Sequence, residues 1–371
     1  MTERAGGLSL SELLESIHPD PQTLADGRRR MVDIWNGRPT DSLPILFNAP
    51  PPHNAVLTSD LHHHVEDNGQ MLYDTAVGLV AASRAMSDAQ LGVRADTGTG
   101  TLATIAGCQL IPSEFALPWT MHLTRDALEA FDPRGDLAER GIMPRVQALY
   151  AFFRAHLPGG IDYFCADTQG PFALAHLLYG DALLYDVYDD PSFVHALLEK
   201  TTALYIAGTQ LMKCWIGEQP ESGTHGAMAL ANGGVRLCED TSTLLAPEMI
   251  ETFVLPYQQR ALAPFGGGFI HYCGNNEALY HGCLRNPLVR GLNLGNPERH
   301  DFSRIIPELL TAGKCYAGTI NRRSEEAMSD YFRRVIGYTA GARTGLIFMA
   351  ELHPEETVDP ARVLDCWRNL Q

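Results

Sequence analysis

Two residues of this sequence have the types and spacing for metal chemistry: His271 and Cys273, in the run FIHYCG that ends at Gly274. Side chains two apart on a β-strand point to the same side, so an imidazole and a thiolate here face one point in space. Nitrogen and sulfur together suit Zn²⁺, which is usually four-coordinate. Gly274 directly afterwards lets the chain turn sharply. The spacing fits equally a buried cysteine beside a hydrogen-bonded histidine, and it leaves a third ligand open. Cys315 suits the metal chemically but opens its strand. Glu351 closes the last strand and is favoured by position, and Glu239 or Asp240, ending the preceding strand, is a further carboxylate choice.

The other polar residues that end apolar runs supply acid–base and binding candidates. Asp167, Glu239, Asp240, Asn293 and Asn321 are the candidates to orient a substrate or move a proton, and Asp96 and Gln169 the candidates to contact a cofactor. Asp167 and Thr168 also read as N-caps for a helix beginning at Pro171. The turn Thr97–Gly100 can cradle an anion with its backbone N–H groups, but it lacks the lysine of a nucleotide-binding P-loop. His62, His63 and His64 are consecutive, do not share one helix face, and read as a solvated run. Arg322 and Arg323 read either as partners for a substrate carboxylate or as a solvated helix start.

The elements that must position these residues follow from hydrophobic period. Eight short apolar runs end in polar or Gly-rich residues: Leu43–Asn48, Ala89–Asp96, Ile161–Asp167, Val235–Asp240, Gly268–Gly274, Val289–Gly295, Lys314–Asn321 and Gly345–Glu351. Most are separated by enough chain for a helix, the pattern of parallel βαβ units. Three-and-four spacing from Pro191 to Trp215 predicts one such helix; another begins at Pro247 and is bent or ended by Pro256. The expected fold is α/β, a (β/α)8 TIM barrel with a helical N-terminal extension (1–23) before the barrel proper (24–371) and an insertion after strand 2. In such a barrel the C-terminal strand ends build the site.

Composition narrows the partners. The formal net charge is -16, from 44 acidic against 28 basic residues, which opposes non-specific binding to nucleic acid or an anionic membrane. The N-terminal residues do not read as a signal peptide, and no run reaches the ~20 apolar residues of a membrane span. The eight cysteines are scattered and read as reduced, mostly core thiols. A cytoplasmic protein acting on a small molecule is the expectation.

Segments along most of the chain resemble the uroporphyrinogen-decarboxylase superfamily: GRRRMVDIWNGRPTDSLPILF (Gly27–Phe47), DTQGPFALAHLLYGDALLYDVYDDP (Asp167–Pro191), LLAPEMIETFVLPY (Leu244–Tyr257), FIHYCG and GLNLGNPE (Gly291–Glu298). The resemblance spans roughly 24 to 365. The arginine-rich segment after strand one and the Asn-Leu-Gly-His stretch at the last strand, which mark true decarboxylases, are absent. The chain is more similar to the corrinoid-dependent methyltransferase branch, where zinc is held by a His-x-Cys on strand five and a cysteine on the last strand. His271 and Cys273 match; the last cysteine's place falls at about Glu351. The resemblance thus implies Zn²⁺, a methyl transfer between a small substrate and a corrinoid protein or thiol acceptor, and a separate corrinoid-carrying partner. Homodimers are common in that family. A carboxylate decarboxylase or lyase, and a non-catalytic cobamide- or ligand-binding relative, are the competing readings.

Overall fold

Apolar strands alternating with amphipathic helices give a mixed α/β structure. A computed structural model describes residues 7–116 and 118–371; the first six residues of the expected N-terminal extension lie outside these. Eight parallel strands each fall inside one of the apolar runs: β1 Ile45–Leu46, β2 Gly92–Val93, β3 Asp162–Tyr163, β4 Val235–Cys238, β5 Gly268–Tyr272, β6 Val289–Leu294, β7 Cys315–Thr319 and β8 Leu346–Met349. Six of them form one parallel sheet in the order β1-β8-β7-β6-β5-β4, and β2 and β3 pair with each other. Single backbone hydrogen bonds lie at the two seams, Gly170 N–H to Cys238 C=O at 2.7 Å and Asp88 N–H to Ile45 C=O at 3.1 Å.

The sheet is parallel because apolar surface is covered on both faces. Leu237, Ile270, Leu292, Ala317 and Ile347 are all fully buried, and burial of a large aliphatic side chain stabilises by about 1.5–3 kcal/mol. Helix Pro191–Ile216 runs as its period predicts, with the Asp190 carboxylate accepting from Phe193 N–H and Gly217 closing it at φ +82°. The helix begun at Pro247 stops at Phe253 and resumes as Leu255–Leu262, with Pro256 in the first turn, where its missing N–H is not needed. Between β2 and β3 the chain forms a hairpin, Leu110–Ile111 against Trp119–Thr120, and helices Arg125–Ala130 and Met143–His156. Helix Leu10–Glu15 has a Ser9 capping box, and helix Pro21–Trp35 ends in a tryptophan that packs 5.8 Å from Phe269 and donates to Ala229 C=O at 2.6 Å. Among the described residues no helix is long and apolar enough to cross a membrane, and all eight cysteines are free thiols.

Three local expectations are overturned. Helix Pro171–Tyr179 has Gly170 at its N-cap and no side-chain cap; the Asp167 carboxylate is held by Arg236 instead, at 2.8 Å, because a buried carboxylate gains more from a guanidinium than from one amide. His64 is not solvated: Nδ1 bonds Asp74 at 2.8 Å and Nε2 lies 3.7 Å from Asp96. Arg322 is neither a free anion clamp nor a solvated helix start, since Glu356 takes its guanidinium in a two-point ion pair at 2.5 and 3.0 Å.

Candidate metal centre

Register brings the central donors together. Cys238 on β4 and Asn293 on β6 are both Cα partners of His271 on β5, so the three stand in one row across adjacent strands. Their side chains share a face because neighbouring residues in register point the same way. Asp240 and Cys273 lie two residues further on, just past the ends of β4 and β5. One ligand atom each from Cys238, Asp240 and His271 lies within 4.8 Å of the others. Cys273 Sγ is 3.8 Å, and Asp240 Oδ1 3.7 Å, from His271 Nε2.

Hydrogen bonds fix the orientation of the imidazole. Asn293 Nδ2 donates to Ala317 C=O at 2.5 Å, which turns its Oδ1 to His271 Nδ1 at 2.6 Å. The carbonyl oxygen accepts only, so Nδ1 carries the proton and the Nε2 lone pair faces Asp240 and the two thiols. This is the outer-shell arrangement that holds a metal-ligating histidine. Bond lengths of ~2.0–2.3 Å around a tetrahedral ion imply ligand–ligand separations of about 3.3–3.8 Å, which the two distances to His271 Nε2 match. The donor set therefore fits a metal ion.

Electrostatics favour metal binding at the imidazole and oppose it at the two thiols, whose protons a metal must displace. Burial, reinforced by the Arg236 charge, holds the His271 imidazole below its ordinary value, so it is neutral and able to bind. Burial drives the Cys238 thiol well up, and raises Cys273 with help from the Asp240 carboxylate. Cys273 N–H donates to Asp240 Oδ1 at 2.7 Å, tying the two strand ends together. Gly274 then turns the chain away at φ +94°, and a side chain on Gly295 would strike Cys273 Sγ.

The remaining candidates occupy other places. Asp167 and Asp96 belong to a chain of ion pairs: Arg236 to Asp167 at 2.8 Å, Arg94 to Asp167 at 3.8 Å and Arg94 to Asp96 at 3.0 Å. Gln169 is buried with its amide 3.5 Å from Asp167. Glu239 lies between Cys238 and Asp240 but on the other strand face, fully buried against Gly170 and bonded to Ser242 Oγ at 2.6 Å. Burial raises its carboxyl to about 8, so at neutral pH it is a neutral acid. Asn321 follows β7, its C=O accepting from Arg334 at 3.0 Å. Glu351 is exposed and accepts from Arg322 N–H at 2.9 Å; the converging group does not include it. Cys315 opens β7 and is buried.

Cys238, Arg236 and Arg94 are the candidate site residues that reading the sequence missed. The signal for Cys238 was present, since Cys238-x-Asp240 repeats on β4 the spacing of His271-x-Cys273 on β5. The arginines were charges inside otherwise apolar runs.

No family model matches the chain, and no curated protein matches it either. Its fold is shared with a solved methyltransferase from Methanosarcina mazei, at TM-score 0.66 and 14% identity, covering 92% of this chain and 98% of that one.

Proposed function

We propose that the chain is a (β/α)8-barrel methyltransferase, dependent on zinc, that moves a methyl group between a small substrate and a corrinoid protein or thiol acceptor. The observation that carries this reading is the group of Cys238, Asp240 and His271 at the C-terminal ends of β4 and β5, with Cys273 Sγ 3.8 Å from His271 Nε2 and His271 locked by Asn293. Active sites of such barrels lie at that end of the strands. The fold shared with a methyltransferase over nearly the whole chain supports it at the level of architecture.

Cys238, His271 and Cys273 would hold the zinc and leave its fourth position open to the substrate. Bound there, zinc would supply a nucleophile at neutral pH by lowering the pKa of a ligated thiol or hydroxyl. Asn293 keeps the imidazole lone pair on Nε2. Asp240, 44% exposed at its side chain, stands at the mouth, where its second carboxylate oxygen accepts the proton that the substrate loses. The corrinoid is assigned to a separate protein docked over the strand ends. Exposed apolar side chains on the segments after β1 and β2 support that assignment: Val56, Leu57, Ile111, Phe115, Trp119 and Met121.

The test is methyl transfer from methylcobalamin to a small thiol by the zinc-loaded protein. Turnover that needs zinc and disappears in His271→Ala is the expected result. Zinc binding without any methyl transfer would leave a metal site and remove the methyltransferase reading.

A further inference from the structure

We propose that Arg94 and Arg236 form a subsite for the carboxylate of a small-molecule substrate, one layer beneath the metal donors; this rests on the donor cluster being the reaction centre. Arg236 precedes Cys238 by two residues on β4, so the two side chains leave the same face. Arg94 directly follows β2, and the Asp167 carboxylate lies between the guanidiniums, 2.8 Å from one and 3.8 Å from the other.

Each guanidinium carries five N–H donors in a rigid fork. Among the described residues Arg94 makes one hydrogen bond, to Asp96 at 3.0 Å, and Arg236 makes one, to Asp167 at 2.8 Å. Neither is sealed, with 23% and 14% of their side chains exposed. Most of their N–H groups thus lack a protein partner while remaining open to a solute. His225 lines a small cavity together with Arg236 and is edge-on to Phe164 at 5.3 Å and to Phe269 at 5.4 Å. Burial, with the charges of the two arginines, holds His225 neutral.

The charge balance selects the ligand. Arg94, Arg236 and a protonated His64 offset Asp74, Asp96 and Asp167. Recognition then rests on directed hydrogen bonds more than on excess positive charge. A dianion such as phosphate would leave two uncompensated charges in a partly buried site, against one for a carboxylate, and a planar monoanionic carboxylate matches the forks. A carboxylate placed there points the rest of a small molecule towards His271 and Cys238.

Calorimetric titration of the zinc-loaded protein with methoxyacetate, and with uncharged methoxyacetamide, tests this. Saturable binding of the acid alone is expected, weakened at least tenfold by Arg94→Gln or Arg236→Gln. Arg94→Lys keeps the charge but removes the fork, and is expected to weaken binding at least threefold with the melting temperature unchanged; if Arg236→Gln fails to fold, the Arg94 variants carry the test. The absence of saturable binding, equal binding of acid and amide, or indifference to both Arg94 variants overturns the proposal. His271→Ala separates the two readings: it should lose zinc and keep methoxyacetate. A wild type that binds methoxyacetate but no zinc would sink the metal centre and leave this subsite standing.

Discussion

At the ends of β4, β5 and β6, ligand atoms of Cys238, Asp240 and His271 converge without a cation among them, Cys273 Sγ lies 3.8 Å from His271 Nε2, and Asn293 aims the imidazole. At the ends of β7 and β8 the same kinds of residue are tied to one another. Arg322 is paired with Glu356, its backbone N–H is bonded to Glu351, and Arg334 grips Glu326 at 2.6 Å. The first region turns its ligand atoms towards one another, while the second uses its charges to fasten loops. Polar residues at strand ends therefore acquire meaning from whether their neighbours satisfy them, more than from their identity.

The largest expected effect lies in the first region. His271→Ala should cut zinc affinity at least a hundredfold, about 3 kcal/mol by the usual conversion, while leaving the circular dichroism spectrum unchanged; unchanged zinc content would erase the distinction between the regions. In the second region, Arg322→Ala leaves Glu356 without its cation and should cost about 3 kcal/mol of stability in urea unfolding, with zinc content intact. Loss of zinc in that variant would mean that the two regions are coupled.

Smaller effects sharpen the contrast. His64 is raised to about 9 chiefly by its bond to Asp74, then by Asp96. A raised folded pKa contributes stability that is complete below the unfolded value of about 6.5 and lost as pH climbs through about 9. Unfolding free energy should therefore fall by roughly 2 kcal/mol between pH 6.5 and 10, and His64→Gln should flatten the fall; a slope unaltered in that variant would contradict the ion pair. Asn293→Ala should weaken zinc about tenfold, the lower end for an outer-shell partner, with little change in melting temperature. Smallest of all, Glu351→Gln should leave zinc affinity within about twofold, because Arg322 N–H and not a metal holds its carboxylate; a tenfold loss would place the glutamate among the ligands.

Much of this was legible in the sequence, for identifiable reasons. All eight strands announced themselves because buried parallel strands are largely apolar, and His271 and Cys273 stood out because an imidazole and a thiolate two apart at a strand end face one point, although the spacing alone fitted a buried cysteine beside a hydrogen-bonded histidine equally well. Register was not legible. Nothing in the linear spacing says that Cys238 is the Cα partner of His271, so a ligand candidate was read as one more core thiol. The same limit hid Arg236, whose partner Asp167 lies 69 positions away, and made Asp167 look like a helix cap. Position along the last strand favoured Glu351, but the loop after β7 brings Arg322 to it instead.

Zinc-edge X-ray absorption on the loaded wild type and on Cys238→Ser tests the central claim most directly. The account predicts one zinc per chain with two sulfur neighbours at about 2.3 Å, and one sulfur fewer in the variant. A protein that takes up no zinc, or a sulfur shell unchanged by Cys238→Ser, would contradict it.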